Sequence, residues 1–362
     1  MTETLTLPHG TVPLPAFFPD GTYGVVRCVD ADDLVECHVP GLVMNGFHLL
    51  SKPGISVLRH FRGVHAFSGW DGPVLTDSGG FQVFSMIREN PKFGEVRKNE
   101  LIFRPEGGKD KQILTPEKSV QFQFACGSDV MMCLDYCTHP EDSYEISKLS
   151  VEITVDWAGR CKREYERQLH ARKIPEERRP LLFAIIQGGG YRELRKECAG
   201  RLIGIGFDGF GFGGWPVASD GSLVEDILAY TAGLMPDDKV KYAMGLGKPD
   251  GIVKCVQMGY NLFDCVIPTR EARHNRLYVF DDDRDENPPA YSHYYILDDT
   301  HIREDGPVSK TCDCPACQKY SRAYLYHLYK IGDSLAYRLA TMHNLRFYTE
   351  FMERIRTGGI VL

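Results

Sequence analysis

Residues 261–273 read NLFDCVIPTREAR. Leu262, Phe263, Cys265, Val266 and Ile267 form a short apolar run closed by Pro268, which fits a buried parallel-sheet strand better than a helix. One carboxylate, Asp264, lies inside the run, and Arg270 and Arg273 follow it. Taken alone, an acid at a strand end reads as a loop cap or as a partner for Arg270. The remainder of the chain changes that reading.

Further apolar runs of the same kind occur at 16–18, 41–45, 74–77, 130–135, 181–187, 207–213 and 242–246, so 262–266 is the last of eight strand candidates. Helical spacing follows at 143–170, 191–203, 222–234 and 248–258. Eight strands alternating with helices over roughly 250 residues predict an α/β fold of the (β/α)8 TIM barrel class. The alternative, a doubly wound open sheet, lacks a glycine-rich phosphate fingerprint after its first strand. Residues 5–15 alternate about a Pro-His-Gly turn and predict a small hairpin at one end of the barrel. Residues 89–115 interrupt the rhythm with β-like pieces around Glu106-Gly107-Gly108, an inserted antiparallel hairpin. The division expected is a barrel over 1–277 and a C-terminal zinc-binding subdomain over 278–362, the latter opening on an acidic, solvated loop, DDDRDENPP.

The carboxyl ends of barrel strands face the active site. Here they carry Asn45, Asp77-Ser78, Asp135, Gln187-Gly188, Gly213-Gly214, Met244-Gly245 and Asp264. Three acids and a glutamine converging on one mouth indicate a site rather than a set of loop caps. A second cluster, Cys312-x-Cys314-x2-Cys317, packs three soft ligands as tetrahedral zinc requires. His343 is the expected fourth ligand, with His301 and His327 as rivals, and a closed Cys3His set is structural rather than catalytic. The other cysteines of the 12 are scattered through apolar runs, unlike a disulfide framework. The N-terminus has neither a basic flank nor an apolar core, and no stretch reaches the roughly 18 apolar residues of a membrane span, so a cytoplasmic enzyme is expected. A net charge of −7 argues against indiscriminate nucleic-acid binding. Lys248, Arg270, Arg273, His274 and Arg276, with Lys319 and Arg322, still offer a local track for phosphates.

These residues in this order resemble the tRNA-guanine transglycosylase family, also called queuine tRNA-ribosyltransferase. The likeness runs from LTLPHGTV and HLLSKPG through GWDGPVLTDSGGFQVFS, FAIIQGG, GFDGFGFGG, MGLGKPD and NLFDCVIPTREAR to CDCPACQKYSRAYLYHL, nearly the full chain. It implies a (β/α)8 barrel with a structural zinc site at Cys312, Cys314, Cys317 and His343. It also implies exchange of guanine at the tRNA anticodon wobble position for a 7-deazaguanine, through a covalent glycosyl-enzyme. In that scheme Asp264 is the nucleophile and Asp77 the general acid/base. Asp135 accepts from the purine N1 and amine, and Gln187 with the Gly214 amide meets O6. Phe81 and Met244 sandwich the ring, Ser78, Cys137 and Trp215 complete the pocket, and Lys248, Arg270 and Arg273 grip the anticodon loop. The resemblance further implies a homodimer.

One segment departs from the family pattern. Where bacterial members have Leu-Ala-Val-Gly-Glu after the glycine pair, this chain has Trp215-Pro216-Val217-Ala218-Ser219. In the family the first peptide of that segment turns to offer either a carbonyl or an N–H, and Pro216 has no N–H. The resemblance then implies a pocket for a 7-substituted deazaguanine, with Val217 and Cys137 favouring the 7-aminomethyl precursor over queuine. Other readings stay open: base exchange at another tRNA position or in DNA, a noncatalytic partner subunit, or a zinc-dependent barrel hydrolase.

Overall fold

Each of the eight apolar runs becomes a strand of one parallel sheet: β1 Ala16–Pro19, β2 Leu42–Met44, β3 Val74–Thr76, β4 Val130–Met132, β5 Leu181–Ile186, β6 Gly209–Phe212, β7 Val240–Ala243 and β8 Leu262–Cys265. They lie side by side in the order β1-β8-β7-β6-β5-β4-β3-β2. Beyond the strand ends, the Gly21 N–H donates to the Val43 carbonyl at 2.7 Å and Asp20 bridges Val43, which draws β1 towards β2 and nearly closes a barrel. The computed structural model describes residues 3–104, 111–218, 220–281 and 291–358.

The inward faces supply one core. Phe18, Leu75, Met132, Phe183, Ile185 and Tyr242 pack with Leu5, Leu7, Val12 and Leu14 of the N-terminal hairpin, Thr4–Leu7 paired with Gly10–Pro13. The hairpin thus plugs the end where the strands begin. Helices such as Tyr144–Arg172 and Arg192–Ile205 cover the outside, burying Trp157, Leu194, Cys198 and Leu202 against the sheet.

The insertion is antiparallel as expected, with one strand more than a hairpin. It is a three-stranded antiparallel sheet, Gly94–Val96, Leu101–Phe103 and Gln112–Leu114, because Leu101 pairs both with Val96 and with Leu114. The Glu106-Gly107-Gly108 turn lies outside the described residues, as does the acidic loop beyond Asp281. The strands flanking that loop, Arg276–Phe280 and Tyr291–Tyr295, pair antiparallel. The chain ends in the helix Ser334–Arg356, capped by the Asp333 carboxylate on the Leu335 N–H at 2.8 Å. Its apolar face returns to the barrel: the Tyr348 ring lies 4.7 Å from Phe17, and its hydroxyl donates to the Gly247 carbonyl at 2.6 Å. Among the described residues no helix is long and apolar enough to cross a membrane.

Phe183 of β5 sits opposite Gly209 of β6, and a Cβ on Gly209 would come within 2.6 Å of its ring. Gly209→Ala is expected to cost about 1–3 kcal/mol through overpacking, read as a lower urea midpoint with an unchanged slope.

Candidate active site

The strand ends place their polar groups around one mouth. Asp77 follows β3 and is half-buried. Its Oδ1 accepts the Gly46 N–H at 2.7 Å and the Gly79 N–H at 2.9 Å, and its Oδ2 accepts Asn45 Nδ2 at 2.8 Å and Gln82 Nε2 at 3.3 Å. Only glycine allows the first approach, since a Cβ on Gly46 would meet the Asp77 carbonyl oxygen at 2.6 Å. Asp264 of β8 accepts the Tyr242 hydroxyl and the Gly245 N–H, each at 2.7 Å and both on Oδ1. Burial pushes both carboxyls up to about 6. The amides of Gly46 and Gly79 with Gln82 oppose the rise at Asp77, and the Gly245 amide with Tyr242 opposes it at Asp264. Each is raised further by a neighbouring charge, Asp77 by Asp264 and Asp264 by Asp20. Burial, then Asp264 itself, holds the Tyr242 hydroxyl protonated as a donor.

Asp135, just past β4, and Gln187, just past β5, are buried together. Gln187 Nε2 donates to Asp135 Oδ2 at 2.7 Å, and Thr138 Oγ1 donates to Gln187 Oε1 at 3.4 Å. Burial lifts Asp135 to about 6, the Gln187 bond opposing it. Ser78 and Cys137 are buried alongside these strand ends. Beneath Gln187 and Gly213 lies Arg195, a helix residue only 2% exposed. It donates to the carbonyls of Gly189, Ile186 and Gly213 at 2.7, 3.2 and 3.0 Å and stacks 4.2 Å from the Phe212 ring. Burial without a carboxylate bond lowers its pKa to about 10. Arg195 thus fixes the backbone on either side of Gln187 and ahead of Gly214.

Phe81 and Trp215 are both 42% exposed, their rings 5.7 Å apart, with His139 a further 5.7 Å from Trp215. They form an aromatic rim, whereas Met244 is half-buried over Gly211. After Trp215 the chain forms a small hairpin: Val224 N–H donates to the Pro216 carbonyl at 3.0 Å, Val217 bridges Leu223, and Ala218 N–H donates to the Ser222 carbonyl at 2.8 Å. Ser219 lies outside the described residues.

Of the basic residues, Lys248 and Arg270 are exposed, and Arg273 Nη1 is buried without a hydrogen-bond partner among the described residues. Arg276 is paired with Glu271, and Arg322 is spent on Glu304 at 3.0 Å and on the carbonyls of Pro307 and Val308. These two therefore drop out of the expected phosphate track.

The Cys312, Cys314, Cys317 and His343 ligand atoms lie within 4.8 Å of one another, all four residues buried. His343 Nε2 meets the Tyr278 carbonyl at 2.8 Å, which turns Nδ1 to Cys317 and Cys314 Sγ at 3.2 and 3.6 Å. The N–H groups of Ser309 and Cys317 point at sulfur, each at 3.4 Å, as they do around thiolate ligands. His301 instead bonds Glu304 at 2.8 Å. The set fits a closed structural metal site.

The queuine tRNA-ribosyltransferase family model matches residues 2–358. The chain belongs to that family. Queuine tRNA-ribosyltransferases of Acinetobacter baylyi and Thermoanaerobacter pseudethanolicus are 39% and 38% identical to it over 352 residues, 97% of this chain and 86% and 88% of theirs. That of Psychrobacter sp. is 38% identical over 357 residues, 98% of this chain and 88% of its own. Reading the sequence for strand-end acids missed Tyr242, Gln82, Arg195 and Asp20. Tyr242 and Arg195 gave no signal, because one reads as strand core and the other as a surface cation of a helix. Asp20 follows the first apolar run and was legible on the same rule as the others.

Because the Asp264 carboxyl is raised, the folded state holds its proton more tightly than the unfolded chain. That contribution to stability is full below the ordinary value near 4 and is lost as pH rises through about 6. Asp264→Asn is therefore expected to stabilise the protein at pH 8 and not at pH 4. The gain is of order 1 kcal/mol once solvent at the mouth is allowed for, visible in thermal scans at the two pH values.

Proposed function

We propose that the protein is a tRNA-guanine transglycosylase, a pentosyltransferase that exchanges guanine at the anticodon wobble position for a 7-substituted 7-deazaguanine, as a step of queuosine biosynthesis. The observation that carries this reading is the Asp264–Asp77 arrangement. Among the described residues, both hydrogen bonds to Asp264 end on Oδ1, which leaves Oδ2 to a sugar, while Asp77 is held at both oxygens beside it. Exchange with net retention needs two inversions. Asp264 Oδ2 attacks C1′, the C1′–N9 bond breaks, and Asp77 protonates the departing base. The incoming base then gives its N9 proton to the Asp77 carboxylate, N9 attacks C1′, and Asp264 is released.

Asp135 accepts from the base's N1–H and amine, and Gln187, which has a second N–H to spare, donates with the Gly214 N–H to O6. A base lacking these groups leaves buried partners unpaired and is rejected. Phe81 and Met244 cover its faces, with Ser78, Cys137 and Trp215 around it. Lys248, Arg270 and Arg273 engage a single-stranded anticodon loop, supported by their lack of close carboxylate partners among the described residues. The peptide joining Trp215 to Pro216 offers only its carbonyl, and the hairpin bonds of Pro216 and Ala218 hold the segment after it. This selects a 7-aminomethyl base over guanine, and Val217 disfavours queuine. Zinc in the Cys3His set braces the C-terminal subdomain, 278–362, against the barrel, 1–277, and takes no part in the chemistry. The exposed Tyr324 and Ile331 on the helix beside that set suit a homodimer contact.

The test uses tRNA labelled at wobble guanine and chased separately with guanine, the 7-aminomethyl base and queuine. Wild type is expected to release label most readily to the 7-aminomethyl base. Asp264→Asn should fall by at least about 10³-fold and Asp77→Asn by roughly 10² to 10⁴-fold. Release from another tRNA position, from DNA, or from none overturns the reading, as does guanine incorporated as well as the 7-aminomethyl base for the selectivity. The reaction needs Asp77 protonated and Asp264 ionised, both groups near 6, so its rate follows a bell centred near pH 6 whose acid limb is set by Asp264. Tyr242→Phe removes a donor to the anion, raises the Asp264 pKa and moves that limb to higher pH.

A further inference from the structure

At the opposite end of the barrel, three side chains from distant segments meet outside the site described above. His9 lies in the N-terminal hairpin turn, His65 on the helix Val64–Ser68, and Asp129 immediately before β4. His9 Nδ1 stands 2.8 Å from Asp129 Oδ1 and His65 Nε2 3.5 Å from Asp129 Oδ2, while the two imidazoles stack with centroids 3.7 Å apart. We propose that His9, His65 and Asp129 form a second metal site, open to solvent, for a borderline divalent cation such as zinc.

The donor set is two imidazole nitrogens and one carboxylate oxygen, which suits zinc and its neighbours among the transition metals. Ligand atoms about a tetrahedral zinc lie roughly 3.3 Å apart, given bonds near 2.0–2.1 Å, and here all three lie within 4.8 Å of one another. The carboxylate is oriented in advance. Its Oδ1 accepts the His9 N–H at 3.1 Å and its Oδ2 the Val74 N–H at 2.8 Å, with the side chain 1% exposed. Such outer contacts are those that aim metal-binding carboxylates. His65 Nε2 donates to the Gly72 carbonyl at 3.1 Å, so taking up the ion displaces that proton, to Nδ1 or to solvent. The rings are nearly parallel, at 18°, so closing on one ion takes a turn of the His9 ring, which its 39% side-chain exposure permits. That exposure also leaves coordination positions for water. The ion would pin the hairpin turn to the bottom of β3 and β4, far from the strand ends that carry Asp264. It would act on the plug of the barrel and not on the reaction.

Purified full-length protein is dialysed, its retained metal is counted by mass spectrometry, and ZnCl2 is then titrated calorimetrically into wild type, His9→Ala and His65→Ala. Wild type is expected to take up one equivalent beyond the retained metal. Each variant should bind it roughly 10-fold or more weakly, with retained metal and base-exchange activity unchanged. Since His9 is exposed, His9→Ala keeps its fold, checked by circular dichroism. No extra equivalent in wild type overturns the proposal, as does an extra equivalent bound equally well by both variants.

Discussion

Two donors converge on one oxygen of Asp264, the Tyr242 hydroxyl and the Gly245 amide, and the site depends on their staying there. They come from β7 and the turn after it, so they reach β8 only while Tyr242 lies opposite Leu262 in the parallel register. A slip of one residue would turn every side chain of β8 to the other face and take Asp264 out of the mouth. Barrel closure, the hairpin plug and the returning C-terminal helix therefore act on the site through that register. The Tyr348 hydroxyl bonded to Gly247 shows the route, because the last helix grips the loop that follows Gly245.

The mouth is stable in spite of its charges rather than because of them. Asp77, Asp135 and Asp264 are all lifted by burial, and Asp264 further disfavours ionisation of Asp77. Arg195 is costly too, a buried guanidinium that, among the described residues, bonds three carbonyls and no carboxylate. An apolar side chain there would leave those carbonyls unmet and free the Gln187 and Gly214 backbone to move. Keeping a buried cation makes sense where the positions of two backbone turns matter more than local stability.

The strands were legible because each is a short apolar run of the right length between turn residues, and their polar ends followed from barrel geometry alone. Asp77, Asp135, Gln187 and Asp264 were visible for that reason. The Cys3His set was visible through the spacing of three cysteines, and the choice of His343 over His301 was decided by the Tyr278 carbonyl, a contact 65 residues away in the chain. Tyr242, Arg195 and the His9–Asp129 contact escaped because their partners are set by tertiary packing, the last across 120 residues. Within the insertion, the break of 95–104 into two strands escaped, because it shows only once Leu101 faces Val96 and Leu114 at once.

The two ends of the barrel show how far environment, rather than residue type, sets what an aspartate can do. At the mouth, Asp264 accepts two bonds on one oxygen, burial outweighs them, and the carboxyl rises to about 6. At the base, burial acts on Asp129 as well, but His65, His9 and the Val74 amide together outweigh it and hold the carboxyl below its ordinary range. The difference lies in the kind of donor, since Asp77 at the mouth has both oxygens met by amides and still rises to about 6, whereas Asp129 meets two imidazoles as well as amides. Among the described residues Asp264 Oδ2 meets no donor, so that carboxyl stays open to a further partner. A base that meets both oxygens keeps a fixed anion, suited to holding segments together. The same fold supplies both because strands start among hairpin turns and their own amides, and end in loops that leave room for a substrate.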